Sequence, residues 1–159
     1  DTLESARTIA TTVLVVAQVF YLFNVKALES SSLLREGEIK AKLIEGTDPI
    51  LVVTMAECGD LDVFVSAGEQ QIAASVLLWP VDEQKDRHAF NEFLLKAQKL
   101  VPLSNFGITT VEGRDYYELF GELSTTTSIE DIVIELRTLA DNAIEAAEDL
   151  RGDFSGEAA

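Results

Sequence analysis

The side chains best suited to chemistry are few. The chain of 159 residues has one cysteine, Cys58, and one histidine, His88. A lone thiol cannot close an internal disulfide, and a cysteine-based zinc site needs several thiolates. Cys58 follows Glu57, with Asp60 and Asp62 close behind. Such acidic neighbours disfavour a reactive thiolate, so a structural role is expected. His88 stands beside Asp86 and Arg87; it could serve as a base, but a solvated position early on a helix is the simpler account. Glu57, Asp60 and Asp62 lack the glycine turn and distal glutamate of an EF-hand calcium loop. Ser104, Ser124 and Ser128 have no nucleophile-elbow pattern around them, and no glycine-rich phosphate loop occurs. The expectation is a protein that is not an enzyme, with no catalytic, metal-binding or cofactor-binding residue.

The elements that would position any site can be read from periodicity. Pro49–Ala56, Leu61–Ala67 and Gln70–Trp79 are rich in β-formers and separated by turn signals, as in a three-stranded meander. A helix is expected from a cap at Asp82 or Asp86 to about Lys99. Ala89, Phe90, Phe93, Leu94, Ala97 and Leu100 form its apolar face. Asn105–Val111 and Arg114–Leu123 read as a hairpin around Glu112-Gly113. Thr127-Ser128-Ile129-Glu130 carries a capping-box signature for a last helix to about Arg151. The buried stripe of that helix would be Ile129, Ile132, Val133, Leu136, Ala140, Ala143, Ala147 and Leu150. A short helix within 25–36 gives the order α-β-β-β-α-β-β-α. That order favours an α+β sandwich, an antiparallel sheet with helices mainly on one face. The organisation expected is a hydrophobic helical segment at 1–35, an α+β domain at 36–152 and a polar tail at 153–159.

Composition narrows the partners. Hydrophobic residues make up 47% of the chain, enough for a packed core, and 12 basic against 28 acidic side chains give a net charge of −16. Such a chain repels nucleic-acid phosphates and does not dock on anionic membranes through basic patches. Leu43–Gln84 holds eight acids and no Lys or Arg, and 13 acids face three arginines from Glu112 onward. This acidity either steers a basic partner or simply maintains solubility. Tyr116, Tyr117 and Phe120, with Trp79, are the candidate partner contacts, because aromatics dominate interface energetics.

Thr8–Val25 contains no charged side chain over 18 residues. It is either a minimal membrane span or a helix packed on protein. Thr8, Val15, Gln18, Phe20, Tyr21 and Val25 mark it as a possible membrane segment, with Phe20 and Tyr21 placed as interfacial aromatics often are. Ala6-Arg7-Thr8, Val13-Leu14-Val15 and Gln18-x-Phe20-Tyr21-Leu22-Phe23-Asn24 resemble a late transmembrane span of P-type cation-transporting ATPases. That resemblance implies an ion-facing polar residue at Gln18. No other pump motif is present, so a detached fragment of such a pump, or a membrane-anchored accessory protein, is the alternative reading.

A second resemblance covers about residues 43–150. Gly59-Asp60-Leu61, Leu78-Trp79-Pro80-Val81-Asp82, Phe90-Asn91 and Pro102-Leu103-Ser104-x-x-Gly107-Ile108 carry it. So do Gly113-x-Asp115-Tyr116-Tyr117-x-x-Phe120-Gly121 and Glu135-x-x-x-Leu139-Ala140-Asp141-Asn142. Together they resemble the YjfI-like family of uncharacterised bacterial proteins. The element order is also similar to that of type III secretion chaperones and YbjN-like modules, acidic proteins that dimerise and hold partner segments on apolar patches. These resemblances imply no established enzyme activity. They imply a chaperone-like protein-binding adaptor in the cytoplasm, in possible contact with a membrane through residues 8–25. The family's genes often lie near homologues of phage-shock protein A, which makes such a membrane-remodelling protein the implied partner and a homodimer the implied assembly.

Overall fold

A computed structural model describes residues 39–44, 50–68 and 70–151. The hydrophobic segment, its six marker residues, the short helix expected within 25–36 and the polar tail lie outside the described residues. Six strands form one sheet: β1 (Ile39–Ile44), β2 (Ile50–Met55), β3 (Leu61–Ala67), β4 (Gln71–Pro80), β5 (Asn105–Val111) and β6 (Arg114–Ser124). Their order is β1-β2-β3-β4-β6-β5. The pairings β1–β2, β2–β3 and β5–β6 are antiparallel, with Lys42 opposite Val52, Val53 opposite Val63 and Ile108 opposite Tyr117. Among the described residues two α-helices, α1 (Arg87–Ala97) and α2 (Ile129–Asp149), join the sheet in an α+β fold.

β1 is a strand the sequence reading does not anticipate. Lys40 and Lys42 make Ile39–Ile44, inside the domain expected at 36–152, read as a charged stretch ahead of the strand-like runs. In the structure both lysines are exposed while Ala41 and Leu43 are partly covered, the alternation of an edge strand blunted by charge. The Glu112-Gly113 turn behaves as expected. Glu112 and Gly113 both have positive φ, 51° and 82°, the pattern of a type I′ hairpin turn, in which glycine is favoured at the second position.

The chain divides into two compact units, and the division passes through β4, β6 and α2. In the first unit, described over 39–44, 50–68, 70–74 and 122–136, the core is aliphatic: Leu51, Val53, Met55, Val63, Val65, Ile72, Ile132, Val133 and Leu136 are buried. Ser128 caps α2: its hydroxyl accepts from the Asp131 N–H at 3.1 Å and donates to the Asp131 carboxylate at 2.8 Å. The reciprocal acid is therefore Asp131, one residue beyond the Glu130 of the sequence signature. Glu135 is an unforeseen buried carboxyl, 4% exposed, and burial pushes it above its ordinary range.

In the second unit, described over 75–121 and 137–151, the core is aromatic. Trp79, Phe90 and Tyr117 pack together with Val81 and Leu94. The Phe90 and Tyr117 rings meet edge-on at 5.1 Å between centroids, and Trp79 lies 5.8 Å from Tyr117, both favourable aromatic geometries. Asp86, with φ 46°, caps α1 by accepting from the Ala89 N–H, which decides between the two expected caps. The later part of α2 buries Leu139, Ala140, Ala143 and Ala146 while Ala147 is exposed. The expected stripe therefore drifts by one position near its end, as a 3.6-residue repeat does over several turns.

Candidate functional site

The four aromatic candidates do not form one patch. Trp79 and Tyr117 are only 2% and 1% exposed, so their rings are core rather than contact surface. Their polar ends are satisfied internally: the Trp79 indole N–H donates to Gln84 Oε1 at 2.9 Å, and the Tyr117 hydroxyl donates to Asn91 Oδ1 at 2.7 Å. Tyr116 and Phe120 are half-buried and alternate with Tyr117 and Leu119 along β6, so they look out on its other face. Arg114 lies over the Tyr116 ring at 5.7 Å. Phe120 leans across to β5, where a Cβ on Gly107 would come within 3.1 Å of its ring and of Glu118 Oε1. Glycine at 107 is what admits that close approach.

Several residues of the YjfI-like pattern form locks within the second unit. Asn142 Nδ2 donates to the Pro102 carbonyl at 2.8 Å and to the hydroxyl of buried Ser104 at 2.9 Å. The residue between them, Leu103, has φ 54°, a conformation that costs a β-carbon residue on the order of 1–3 kcal/mol unless its surroundings enforce it. Asn142 enforces it from both sides, and Leu103 is left exposed. Arg114 bonds Asp82 at 2.9 Å and Glu83 at 3.1 Å, and Arg151 reaches Glu83 at 3.5 Å. The Arg114 hydrogen bond holds the exposed Asp82 carboxyl below its ordinary range.

Two depressions open on this unit. One, of about 210 Å³, is floored by Phe93, Ala97, Val101 and Phe106, with Leu100 exposed at its edge and Glu145 and Asp149 from α2 in its lining. The other, of about 250 Å³, lies between α1 and β5, where Leu95, Gln98, Ile108 and Tyr117 line it without a charged side chain. Sequence reasoning assigned a functional role to neither. Leu100 was placed on the helix's buried face, yet it is 81% exposed, because a 3-10 turn at Gln98–Leu100 rotates it off that face. No local pattern in the sequence marks the depressions, since it is the fold that leaves Leu95, Leu100 and Leu103 exposed.

Among the described residues no group of three or more His, Cys, Asp and Glu side chains converges on a metal position. His88 is exposed and Cys58 half-buried. Among the described residues no helix is long and apolar enough to cross a membrane.

The order and spacing of these residues can be compared with known proteins. A family model described as "Uncharacterized protein conserved in bacteria (DUF2170)" matches residues 24–153. The chain belongs to that family. It is 36% identical over 105 residues to the uncharacterized protein YjfI of Escherichia coli (strain K12), covering 66% of this chain and 79% of that protein. The YjfI protein of Escherichia coli O157:H7 gives the same figures. These matches support the YjfI-like resemblance. They give no support to the likeness of residues 1–30 to a late transmembrane span of cation-transporting ATPases. Among solved structures, a chain from the crystal structure of the ExsC–ExsE complex is similar, with a TM-score of 0.49, 16% identity and coverage of 84% of this chain and 94% of that one.

Proposed function

We propose that this DUF2170 chain is a non-enzymatic, chaperone-like binding module that works in the cytoplasm as a homodimer. It holds a segment of a protein partner that carries an apolar side chain next to basic residues. The observation behind this reading is the 210 Å³ depression on the second unit, whose apolar floor is bordered by Glu145 and Asp149. An aliphatic or aromatic anchor fits a space of that size, and the carboxylates complement a neighbouring Lys or Arg. The net charge of −16 would speed the approach of a basic segment. Tyr116 and Phe120 offer further contact on the other face of β6, while Trp79 and Tyr117 act indirectly by holding α1 in place.

A homologue of phage-shock protein A, which the family resemblance implies, is the partner to try first. Titration calorimetry of the purified full chain with that protein, repeated over a salt series, tests the reading. Binding that weakens as salt rises is expected. The double substitution Glu145→Lys, Asp149→Lys should weaken it by about tenfold or more and flatten its salt dependence. Absence of binding would dismiss this partner, and binding indifferent to both that pair and Leu100→Asp would dismiss the depression.

A further inference from the structure

We infer that the uncharged depression between α1 and β5 is a binding site for a small neutral molecule, one that joins an apolar body to an uncharged hydrogen-bonding group such as a primary carboxamide. The site is distinct from the partner depression, although Phe106 lines both, and it does not depend on the partner-holding role. Asn91, Leu94, Leu95 and Gln98 stand at positions i, i+3, i+4 and i+7. One face of this helical stretch therefore presents two side-chain amides with two leucines between them. At the helical rise of about 1.5 Å per residue, the two amides spring from points about 10 Å apart along the axis. Phe106 and Ile108 supply the facing wall from β5, and Leu95 and Ile108 stay exposed to solvent.

Part of the lining is fixed in advance. The buried Tyr117 ring packs edge-on against Phe90, and its hydroxyl donates to Asn91 Oδ1 at 2.7 Å. That bond commits the oxygen of the Asn91 amide to the protein and leaves Nδ2 to donate elsewhere. Neither Asn91 Nδ2 nor the Gln98 amide has a hydrogen-bond partner among the described residues. A ligand carboxamide can accept from the first through its oxygen, or pair with the second, which both donates and accepts. Apolar walls with a few convergent polar groups are the usual make-up of a small-molecule site.

Size and charge narrow the ligand. The depression holds about 250 Å³, and an apolar cavity of about 150 Å³ accommodates benzene. A ring with one short substituent therefore fits. No charged side chain lines the site, and on α1 Lys96 and Glu92 engage each other at 2.6 Å. A carboxylate or an ammonium entering here loses hydration and meets no counter-charge, whereas a neutral amide exchanges water for the two side-chain amides. The partner depression differs on this point: Glu145 and Asp149 line it, so it favours a cation.

The test is titration of the full chain with benzamide, benzoate and benzylamine, followed by amide NMR. Benzamide is expected to saturate with a dissociation constant of about 1–10 mM, ordinary for so small a ligand. It should move the backbone signals of Leu95, Gln98 and Ile108. Benzoate and benzylamine, which carry the same ring with a charge, should bind at least about tenfold more weakly. Leu95→Glu, at an exposed position, should weaken benzamide by about fivefold and make benzylamine the preferred probe. Gln98→Ala should weaken benzamide by about threefold or more with unchanged circular dichroism. Glu145→Lys with Asp149→Lys, in the other depression, should leave benzamide binding unchanged. No saturable response up to about 20 mM benzamide would overturn the site. An equal response to all three probes would overturn it too, since that is unselective adsorption on exposed apolar groups. Signals that move around Leu100 and Glu145 instead would place the ligand in the partner depression and overturn this site alone.

Discussion

The two edges of the sheet are finished differently, and so are the two units that contain them. β1 alternates lysine with aliphatic residues, and the buried core of its unit is aliphatic. β5 carries no charge, and its unit is built from an aromatic cluster pinned by Tyr117–Asn91, Trp79–Gln84 and the two bonds of Asn142. Aliphatic packing tolerates adjustment; a ring cluster with hydrogen-bonded rims specifies one arrangement. A unit that presents apolar groups to solvent needs that rigidity, because otherwise Leu95, Leu100 and Leu103 would collapse onto their own core. Under the proposed function, the first unit is the scaffold and the second carries the contacts.

The sharpest way to break this comparison is to hollow each core. Phe90→Ala removes a fully buried ring that touches both Trp79 and Tyr117, at an expected cost of about 3–5 kcal/mol. Leu51→Ala in the first unit should cost about 2–5 kcal/mol, nearer the low end if its aliphatic neighbours close in. Urea denaturation of both variants measures the difference. A larger loss from Leu51→Ala would show that the aromatic cluster is not the more demanding core.

The next effect isolates the loop before β5. Asn142→Ala leaves the Pro102 carbonyl and the buried Ser104 hydroxyl without their donor. The expected cost is about 1–3 kcal/mol. Amide exchange should rise over residues 101–106 and stay unchanged over 50–67, because only the loop loses its restraint on Leu103. Uniform exchange across both units would mean that Asn142 supports the whole fold and not the presentation of Leu103.

Removing the guard from β1 tests the edges directly. Lys40→Thr with Lys42→Thr makes β1 resemble β5, and light scattering should then report association beyond the wild-type species as concentration rises. No change would show that edge charge is not what keeps β1 from pairing.

Much of this arrangement was legible in the sequence because it follows from local rules. Five of the six strands, both described helices and the Glu112-Gly113 turn come from periodicity, caps and β-formers. β1 was missed because its alternating lysines interrupt the apolar run that marks the other strands, yet they are themselves an edge strand's protection. The partner residues were harder. Tyr116, Tyr117 and Phe120 are near neighbours in sequence, but strand alternation sends Tyr117 inward and the others outward. Trp79 is drawn into the ring cluster by long-range packing that spacing does not reveal. The depressions depend on a 3-10 turn that exposes Leu100 and on a clamp from Asn142 to a loop some 40 residues away, which no local pattern encodes.

The smallest expected effects carry opposite signs in the two units. Glu135, in the first, has its carboxyl raised above the ordinary 4.5 by burial. Its folded form resists ionisation, so the unfolded chain releases this proton first, and stability falls as pH rises through the unfolded and then the folded value. Asp82, in the second, is lowered from 3.8, chiefly by its hydrogen bond to Arg114. Its stabilising share is present above the unfolded value and disappears as pH falls through the folded one. Glu135→Gln should therefore stabilise the protein at neutral pH, with the gain vanishing below about pH 4, where the native residue is also protonated. Asp82→Asn should destabilise slightly at neutral pH, with the deficit vanishing in acid. Urea midpoints collected from about pH 3 to about pH 7 separate the two. Curves that move in the same direction would show that the buried carboxyl is compensated by a partner that ionises with it. In that case the first unit would contain a polar support of its own, and the division between an aliphatic scaffold and a polar-pinned contact unit would fail there.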